Sequence, residues 1–353
     1  MARKRTTLKQ VAAKAGVSPT TASFVMNDVE GSNISEATRE RVQTVARELG
    51  YVASAAARSL VSGRTQTIAM GLCQSDLLLV DRFVPALLYG LDQVARERGY
   101  HVLVEGIDAV GSDEAYHELV RARSIDGLIV LDPRRGDAAL SRLIRDGFPI
   151  VTMGEVPGED PYRVVSDDMD GMRRATEHLI GLGHARIAHV TFSPRGFAGT
   201  DDRLNGYRRA LEGAGLTFDP DLVEEGAYSA ESGAKAMRRL LARDRSFTAL
   251  TCGNDTIALG VMAALGEAGL RIPEDVAVVG FDDLPMAQWM RPALTTMHNA
   301  PVESGRRAMR LLASLIDGDA PAERTVRMPT RLVVRRSCGA PAQAGPSNDR
   351  PAR

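Results

Sequence analysis

Thr7-Leu8-Lys9-Gln10-Val11-Ala12-Ala13-Lys14-Ala15-Gly16-Val17-Ser18-Pro19-Thr20-Thr21-Ala22-Ser23 is the stretch whose reading decides the N-terminal fold. Thr7 can cap a helix, with Gln10 three residues on completing a capping box. Leu8, Val11 and Ala12 then share one face at i, i+3, i+4 spacing. Gly16 ends this helix, because glycine enters the left-handed conformation at little cost. Ser18 caps a second helix, and Pro19 occupies its first position, where no donor is needed. Ala22, Val25 and Met26 turn inward, leaving Thr20, Thr21 and Phe24 outside. A third helix opens at Ser35 and runs through Leu49, with Val42, Val45, Ala46 and Leu49 as its buried stripe and Gly50 as its stop. Helix, tight glycine turn, helix is the helix-turn-helix arrangement. Any small helical bundle shares the pattern; the basic arm ahead of it favours DNA.

The charge is unevenly spread. Residues 1–60 hold nine Lys and Arg against five acids, so a chain of net charge −1 has a head of +4 on a body of −5. Such a head suits a polyanion, with a solvated basic tail as the plainer alternative.

At 353 residues the chain is long enough for two or three structural units. From Ile68 onward, short aliphatic runs alternate with amphipathic helical stretches. The runs are Ile68–Leu72, Val102–Val104, Leu128–Leu131, Ile150–Met153, Ile187–Val190, Ala249–Cys252 and Val276–Phe281. The helical stretches include 83–98, 113–123, 170–182, 203–214, 231–243 and 255–268. Alternation of this kind predicts parallel sheets with helices on both faces. About 270 residues exceed one sheet, so two lobes are expected, with ligands at the carboxyl ends of the strands. Residues 339–353, rich in Pro, Ala, Gly and Ser, read as a disordered tail.

Several classes are disfavoured. No run of 18 apolar residues is present for a membrane helix, and the N-terminus lacks the apolar run of a secretory signal. Cys73, Cys252 and Cys338 lie too far apart for a disulfide framework or a zinc pattern. No Walker A run, G-x-S-x-G elbow or H-E-x-x-H occurs. His178 and His184 are spaced wrongly for two ligands on one helix face and read as structural. No catalytic residue, metal or cofactor is therefore expected, and the compartment expected is the cytoplasm, at the nucleoid.

The motif series resembles the LacI/GalR family of transcription regulators. Residues 7–23 resemble its headpiece, and Ile34-Ser35-Glu36-Ala37-Thr38-Arg39-Glu40-Arg41-Val42, Glu48-Leu49-Gly50-Tyr51 and Ala57-Arg58-Ser59-Leu60 continue it. Thr176-Glu177-His178-Leu179-Ile180-Gly181-Leu182-Gly183-His184 is similar to the family's mid-core segment. Cys252-Gly253-Asn254-Asp255-Thr256-Ile257-Ala258-Leu259-Gly260, Ile272-Pro273-Glu274-Asp275-Val276-Ala277-Val278-Val279-Gly280-Phe281-Asp282-Asp283 and Leu294-Thr295-Thr296 follow in order. The resemblance spans residues 5–338.

That resemblance implies an all-α helix-turn-helix headpiece (1–52), a hinge helix and linker (53–66), and a two-lobed periplasmic-binding-protein-like α/β core (67–338). It implies a homodimer on a pseudo-palindromic operator, with a small effector, most often a sugar, between the lobes. DNA contacts would fall on Arg5, Thr7, Pro19, Thr20, Thr21 and Phe24. At the hinge they would fall on Ala57, Arg58 and Leu60, the last wedging into the minor groove. Phe24 departs from the polar residue of well-known members; it suits a thymine methyl or else braces the headpiece. Phe83, Asp167, Arg203, Tyr228, Asn254 and Asp282 would line the effector cleft, with Arg203 and Asp282 alternatively a structural ion pair across the lobes. Trp289 would line the cleft or pack. Two other functions stay open: a small-molecule receptor without DNA activity, and a repressor controlled by a phosphocarrier protein.

Overall fold

A computed structural model describes residues 6–27, 32–51, 59, 63–73, 77–107, 116, 119–120 and 124–340. The candidates Arg5, Ala57, Arg58 and Leu60 lie outside the described residues. So do most of the hinge stretch 53–66, most of the expected helix over 113–123, and residues 341–353 of the tail. By its internal contacts the chain divides into Met1–Thr67 with Leu119–Asp126, and Ile68–Glu118 with Gly127–Arg353.

The first unit carries α1 (Leu8–Ala15), α2 (Pro19–Met26) and α3 (Glu36–Glu48). Thr7 opens α1, its backbone N–H donating to Gln10 Oε1 at 2.8 Å. Gly16 closes it at φ 65°. At α2, Ser18 Oγ accepts from the Thr21 N–H at 3.0 Å. Val11, Ala12, Ala15, Ala22, Val25, Val42, Val45 and Ala46 bury against one another. Leu8, Met26 and Leu49, expected inside, are half-buried at the edge of this cluster. Helices of eight residues do not persist alone in water, so this shared core is what holds them. The Arg41 Nε donates to the Ala15 carbonyl at 3.0 Å. Lys14 pairs with Glu48 at 2.8 Å; a base suited to a phosphate is here engaged within the headpiece.

The second unit begins with β1 (Thr67–Leu72), α4 (Phe83–Glu97), β2 (His101–Gly106), β3 (Gly127–Leu131), α5 (Ala138–Arg145), β4 (Ile150–Met153) and β5 (Tyr162–Ser166), which form one lobe. The chain crosses into a second lobe of α6 (Asp168–Gly181), β6 (Ile187–Val190), α7 (Ala198–Gly213), β7 (Val223–Glu224), α8 (Ala230–Arg243), β8 (Ala249–Cys252), α9 (Asp255–Glu267), β9 (Ala277–Asp282) and β10 (Thr295–His298). It returns to the first lobe as α10 (Pro301–Asp317) and β11 (Thr325–Met328), then crosses again to β12 (Arg331–Val333).

The strand orders are β11-β5-β4-β3-β1-β2 and β12-β10-β9-β8-β6-β7. The central pairings are parallel. One edge departs from the parallel expectation: β12 runs antiparallel to β10, with Met297 opposite Leu332. Each sheet starts in its middle and winds outward both ways, reversing between β1 and β3 and between β6 and β8. Loops at these reversal points leave the strand ends in opposite directions and open a crevice. The expected runs reappear as strands, Val276–Phe281 shifting to Ala277–Asp282. The short strands β5, β7, β10, β11 and β12, and helices α5 and α10, were not read from the sequence.

Three crossings join the lobes, and hydrogen bonds tie them together. The Ser166 hydroxyl donates to Asn299 Oδ1 at 3.0 Å, and the Asp167 N–H donates to the Met328 carbonyl at 3.1 Å. In the first lobe α4 and α10 touch backbone to backbone. A Cβ at Gly90 would strike the Val302 carbonyl, and one at Gly305 the Leu87 carbonyl.

Candidate functional site

The headpiece presents its second helix outward. Pro19 and Thr20 are exposed, and Phe24 retains 37% of its surface. Capping at Ser18 aims the first turn of α2 away from the core, and the burial of Ala22 and Val25 turns Phe24 outward. An exposed Phe24 does not brace the small core. The Thr21 hydroxyl lies 2.9 Å from Ser18 Oγ, and Thr7 is taken up in the α1 cap. Both are therefore used locally as well as being candidates for DNA.

In the second unit a cleft of about 130 Å³ lies between the strand ends of the two lobes. At ~10–15 Å³ per water position, that is room for roughly ten waters, the scale of a sugar. Phe83, Arg203, Tyr228, Asn254 and Asp282 all line it. Asp167 does not. It stands at the N-cap of α6 with its carboxyl 3.8 Å from Arg327, and the lining carboxyl comes from Asp168. Neighbouring residues at a helix start point about 100° apart, so a shift of one residue exchanges which carboxyl enters the cleft. Trp289 is 70% exposed on a short turn and is not among the lining residues.

Arg203 is the centre of the site. Its Nε donates to Asp168 Oδ1 at 2.8 Å, its Nη2 to Asp282 Oδ1 at 3.3 Å, and its Nη1 to the Gly253 carbonyl. Its guanidinium lies 3.7 Å over the Phe281 ring and 4.6 Å from the centre of the Phe192 ring. Arg203, Asp168 and Asp282 all belong to the second lobe, so the ion pair is internal to that lobe and does not bridge the two. Asp282 adopts φ 104° and Asp283 φ 54°. Non-glycine residues in this region are held there only when the surroundings demand it, and such strain gathers at binding sites.

Asn254 caps α9, accepting the Ile257 N–H through Oδ1 at 2.8 Å. Its Nδ2 is buried and, among the described residues, has no acceptor. A buried donor left open beside a cleft is a place for a ligand oxygen. Tyr228, also at positive φ, packs edge-on to Phe192 with ring centres 5.8 Å apart. Its hydroxyl donates across the cleft to Asp132 Oδ2 at 3.4 Å.

Burial raises the carboxyls here. It lifts Asp81 to about 7, helped by the facing Asp282. It lifts Asp132 to about 7, helped by Asp168, and Asp202 to about 6. Asp168 and Asp282 are also raised by burial, with Arg203 pulling the other way. His189, buried behind Arg203, is pushed down to about 3 by burial and by that cation. His178 lies 3.3 Å from Cys338 Sγ and His184 2.9 Å from Thr248 Oγ1, which are structural roles. Among the described residues no group of His, Cys, Asp and Glu is placed to hold a metal. The sequence reading missed Asp81, Asp132, Asp168 and Phe192. Asp132 and Phe192 follow the ends of β3 and β6, so the rule of strand carboxyl ends pointed to them.

A model of bacterial regulatory proteins of the lacI family matches residues 7–54, and one of a periplasmic-binding-protein-like domain matches 176–338. The HTH-type transcriptional regulator CelR of Thermobifida fusca is 36% identical, over 95% of this chain and 99% of CelR. The HTH-type transcriptional repressor PurR of Aliivibrio salmonicida is 31% identical, over 94% of this chain and 98% of PurR. A solved CelR–cellobiose complex is similar at TM-score 0.72 and 34% identity, covering 94% of this chain and 100% of that one. The lac repressor dimer bound to operator and the anti-inducer ONPF is similar at TM-score 0.83 and 29% identity, over 96% and 100%. These relatives are named as transcriptional regulators and repressors.

Proposed function

We infer the function from one premise: this chain belongs to the LacI family of bacterial regulatory proteins. It is a DNA-binding transcriptional regulator, of the repressor type, whose operator affinity answers to a small effector. It acts in the cytoplasm as a homodimer, each headpiece entering one half-site through the outer face of α2. Thr20 and Phe24 read base edges, while Arg5 and its basic neighbours hold phosphates. The hinge residues Ala57, Arg58 and Leu60 contribute the minor-groove contact.

The effector is a neutral saccharide of the cellobiose class. The observation that carries this is the saturation of Arg203. Asp168 and Asp282 already neutralise it, so the cleft offers an anion no free cation at its centre. What remains is carboxyl oxygen, the open Asn254 amide and the walls of Phe83, Phe192 and Tyr228. Many oxygens facing aromatic surface suit a ring that is hydroxylated at its edge and apolar on its face. The CelR–cellobiose complex supports the same class.

The test is a footprint on the DNA upstream of the protein's own gene, at several salt concentrations with competitor DNA, with and without cellobiose. The reading expects two protected half-sites about one helical turn apart, affinity falling steeply with salt, and a shift in affinity on adding the sugar. Weak, sequence-blind binding would favour a receptor without DNA function. A footprint indifferent to cellobiose, yet changed by a phosphocarrier protein, would favour control by that partner.

A further inference from the structure

One carboxylate holds the turn through which the chain passes into β1. Thr65 and Gln66 are the last residues of the stretch expected to join the headpiece to the core, and β1 begins at Thr67. The Thr65 N–H donates to Asp126 Oδ1 at 2.7 Å and the Gln66 N–H to Asp126 Oδ2 at 2.8 Å. The Thr65 hydroxyl donates to the same Oδ1 at 2.9 Å and accepts the Thr67 N–H at 3.2 Å. In return the Asp126 N–H donates to the Thr67 carbonyl at 2.7 Å. Asp126 stands directly before β3, whose residues are all buried, and the register sets Ile68 opposite Gly127. By internal contacts Leu119–Asp126 groups with Met1–Thr67, so Asp126 belongs to the unit that carries the headpiece.

Burial does not require this arrangement. Gly63, Arg64 and Gln66 are exposed and Thr65 is half-buried, so water could serve their backbone donors. What the carboxylate adds is a fixed path. Gln66 sits at φ 54°, a region that residues with a Cβ seldom enter unless their surroundings hold them there. Two consecutive N–H groups bind the two oxygens of one carboxylate, and such charge-assisted bonds are stronger than those to a neutral acceptor. The backbone over residues 65–67 is thereby set in one conformation.

We propose that Asp126 is a positioning residue for operator binding, fixing the end of the linker so that the two headpieces of the dimer meet half-sites at one separation. It acts through the backbone of Thr65 and Gln66 and not by contact with DNA. The positioning role rests on the operator-binding reading above; the clamp itself rests on the hydrogen bonds alone. A linker held at its root spans a narrow range of distances. Released, it spans many, and the second headpiece then finds its half-site at a lower effective concentration.

Two measurements test this on the full-length protein and on its Asp126→Ala and Asp126→Asn variants. The first is tryptic cleavage of the Arg64–Thr65 bond without DNA, followed by mass spectrometry. Arg64 is exposed, and the N–H of the bond to be cut is the one that Asp126 Oδ1 accepts. Cleavage should be about tenfold faster in Asp126→Ala, the loss expected for a bond to a charged group. Asp126→Asn keeps one acceptor oxygen and should fall between. Equal rates in all three proteins would overturn the clamp. The second measurement is selection from a DNA pool in which two copies of the half-site found by the footprint above are separated by spacers of varied length. The unmodified protein should select one spacing. Asp126→Ala should accept several, with affinity for the best pair reduced about tenfold and affinity for a single half-site unchanged. A purely structural defect would instead weaken single and paired half-sites alike and lower the urea midpoint of the protein. That general loss, or faster cleavage with an unchanged spacing preference, would overturn the positioning role. Asp126→Asn, the milder change, carries both comparisons if Asp126→Ala does not fold. An unmodified protein that selects no half-site would refute the operator reading and the positioning role with it, while the cleavage rates still report the clamp.

Discussion

Arg135 Nε of the first lobe lies 3.0 Å from Asp201 Oδ2 of the second, across the mouth of the cleft. The contact does not stand alone. Arg134 and Phe197 form an antiparallel bridge between the same two loops. The Arg134 guanidinium also donates to the Cys73 carbonyl at 2.8 Å and lies 5.6 Å from the centre of the Phe197 ring. Together these contacts clasp the loop after β3 to the start of α7.

Arg135 is 44% exposed in its side chain, and exposed pairs contribute about 1 kcal/mol or less. On the saccharide reading proposed above, Arg135→Ala should therefore weaken effector binding by no more than about fivefold and leave the headpiece untouched. Titration calorimetry measures this; a loss of binding a hundredfold or greater would mean that the clasp does more than hold the rim.

Arg203→Ala should be far more costly. It would leave Asp168 and Asp282 facing each other with their cation removed, a defect of about 3–5 kcal/mol when a buried pair is broken from one side. Urea denaturation of the variant at neutral pH should show that loss, and lowering the pH should restore part of it, because protonation relieves the two carboxylates. Stability unchanged by the substitution would show that the network is not buried in solution.

Asp282→Asn keeps the shape of the side chain and removes a charge from Arg203 and an acceptor from the cleft. The variant should still bind operator while its response to effector is lost. A normal effector response in a gel-shift titration would remove Asp282 from the site.

Phe24 is exposed on α2, so Phe24→Ser should change the stability of the protein by no more than about 0.5 kcal/mol and change which operator sequences are selected from a random pool. Selection of the same sequences with the same affinity would return Phe24 to a passive role.

Gly305 sits where α10 meets the backbone of α4. Gly305→Ala would push a methyl group against the Leu87 carbonyl, and overpacking of this kind costs about 1–3 kcal/mol. Thermal unfolding should report it, since the obstruction is backbone and cannot swing aside.

The headpiece was legible because its signals are local. Thr7, Gly16, Ser18 and Pro19 act on backbone groups within four residues, and Val11, Ala12, Ala22 and Val25 show their faces through helical spacing. The strands were legible where they are long and wholly buried, as at Gly127–Leu131. They were not at Val223–Glu224 or Arg331–Val333, whose pairing depends on partners elsewhere in the chain.

The amino-acid sequence by itself determined the order of the units, the helix caps, the buried faces and the motif series that identifies the family, because each is written in residues a few positions apart. Only the tertiary structure decided the contents of the cleft. It placed Asp168 in the cleft in place of Asp167, set Phe192 against Tyr228, and brought Asp81 and Asp132 to face an arginine that already holds two carboxylates. Those residues meet because loops from separate strands converge at the ends of two sheets. Their carboxyls are pushed upward by the exclusion of water there, which no short stretch of chain carries.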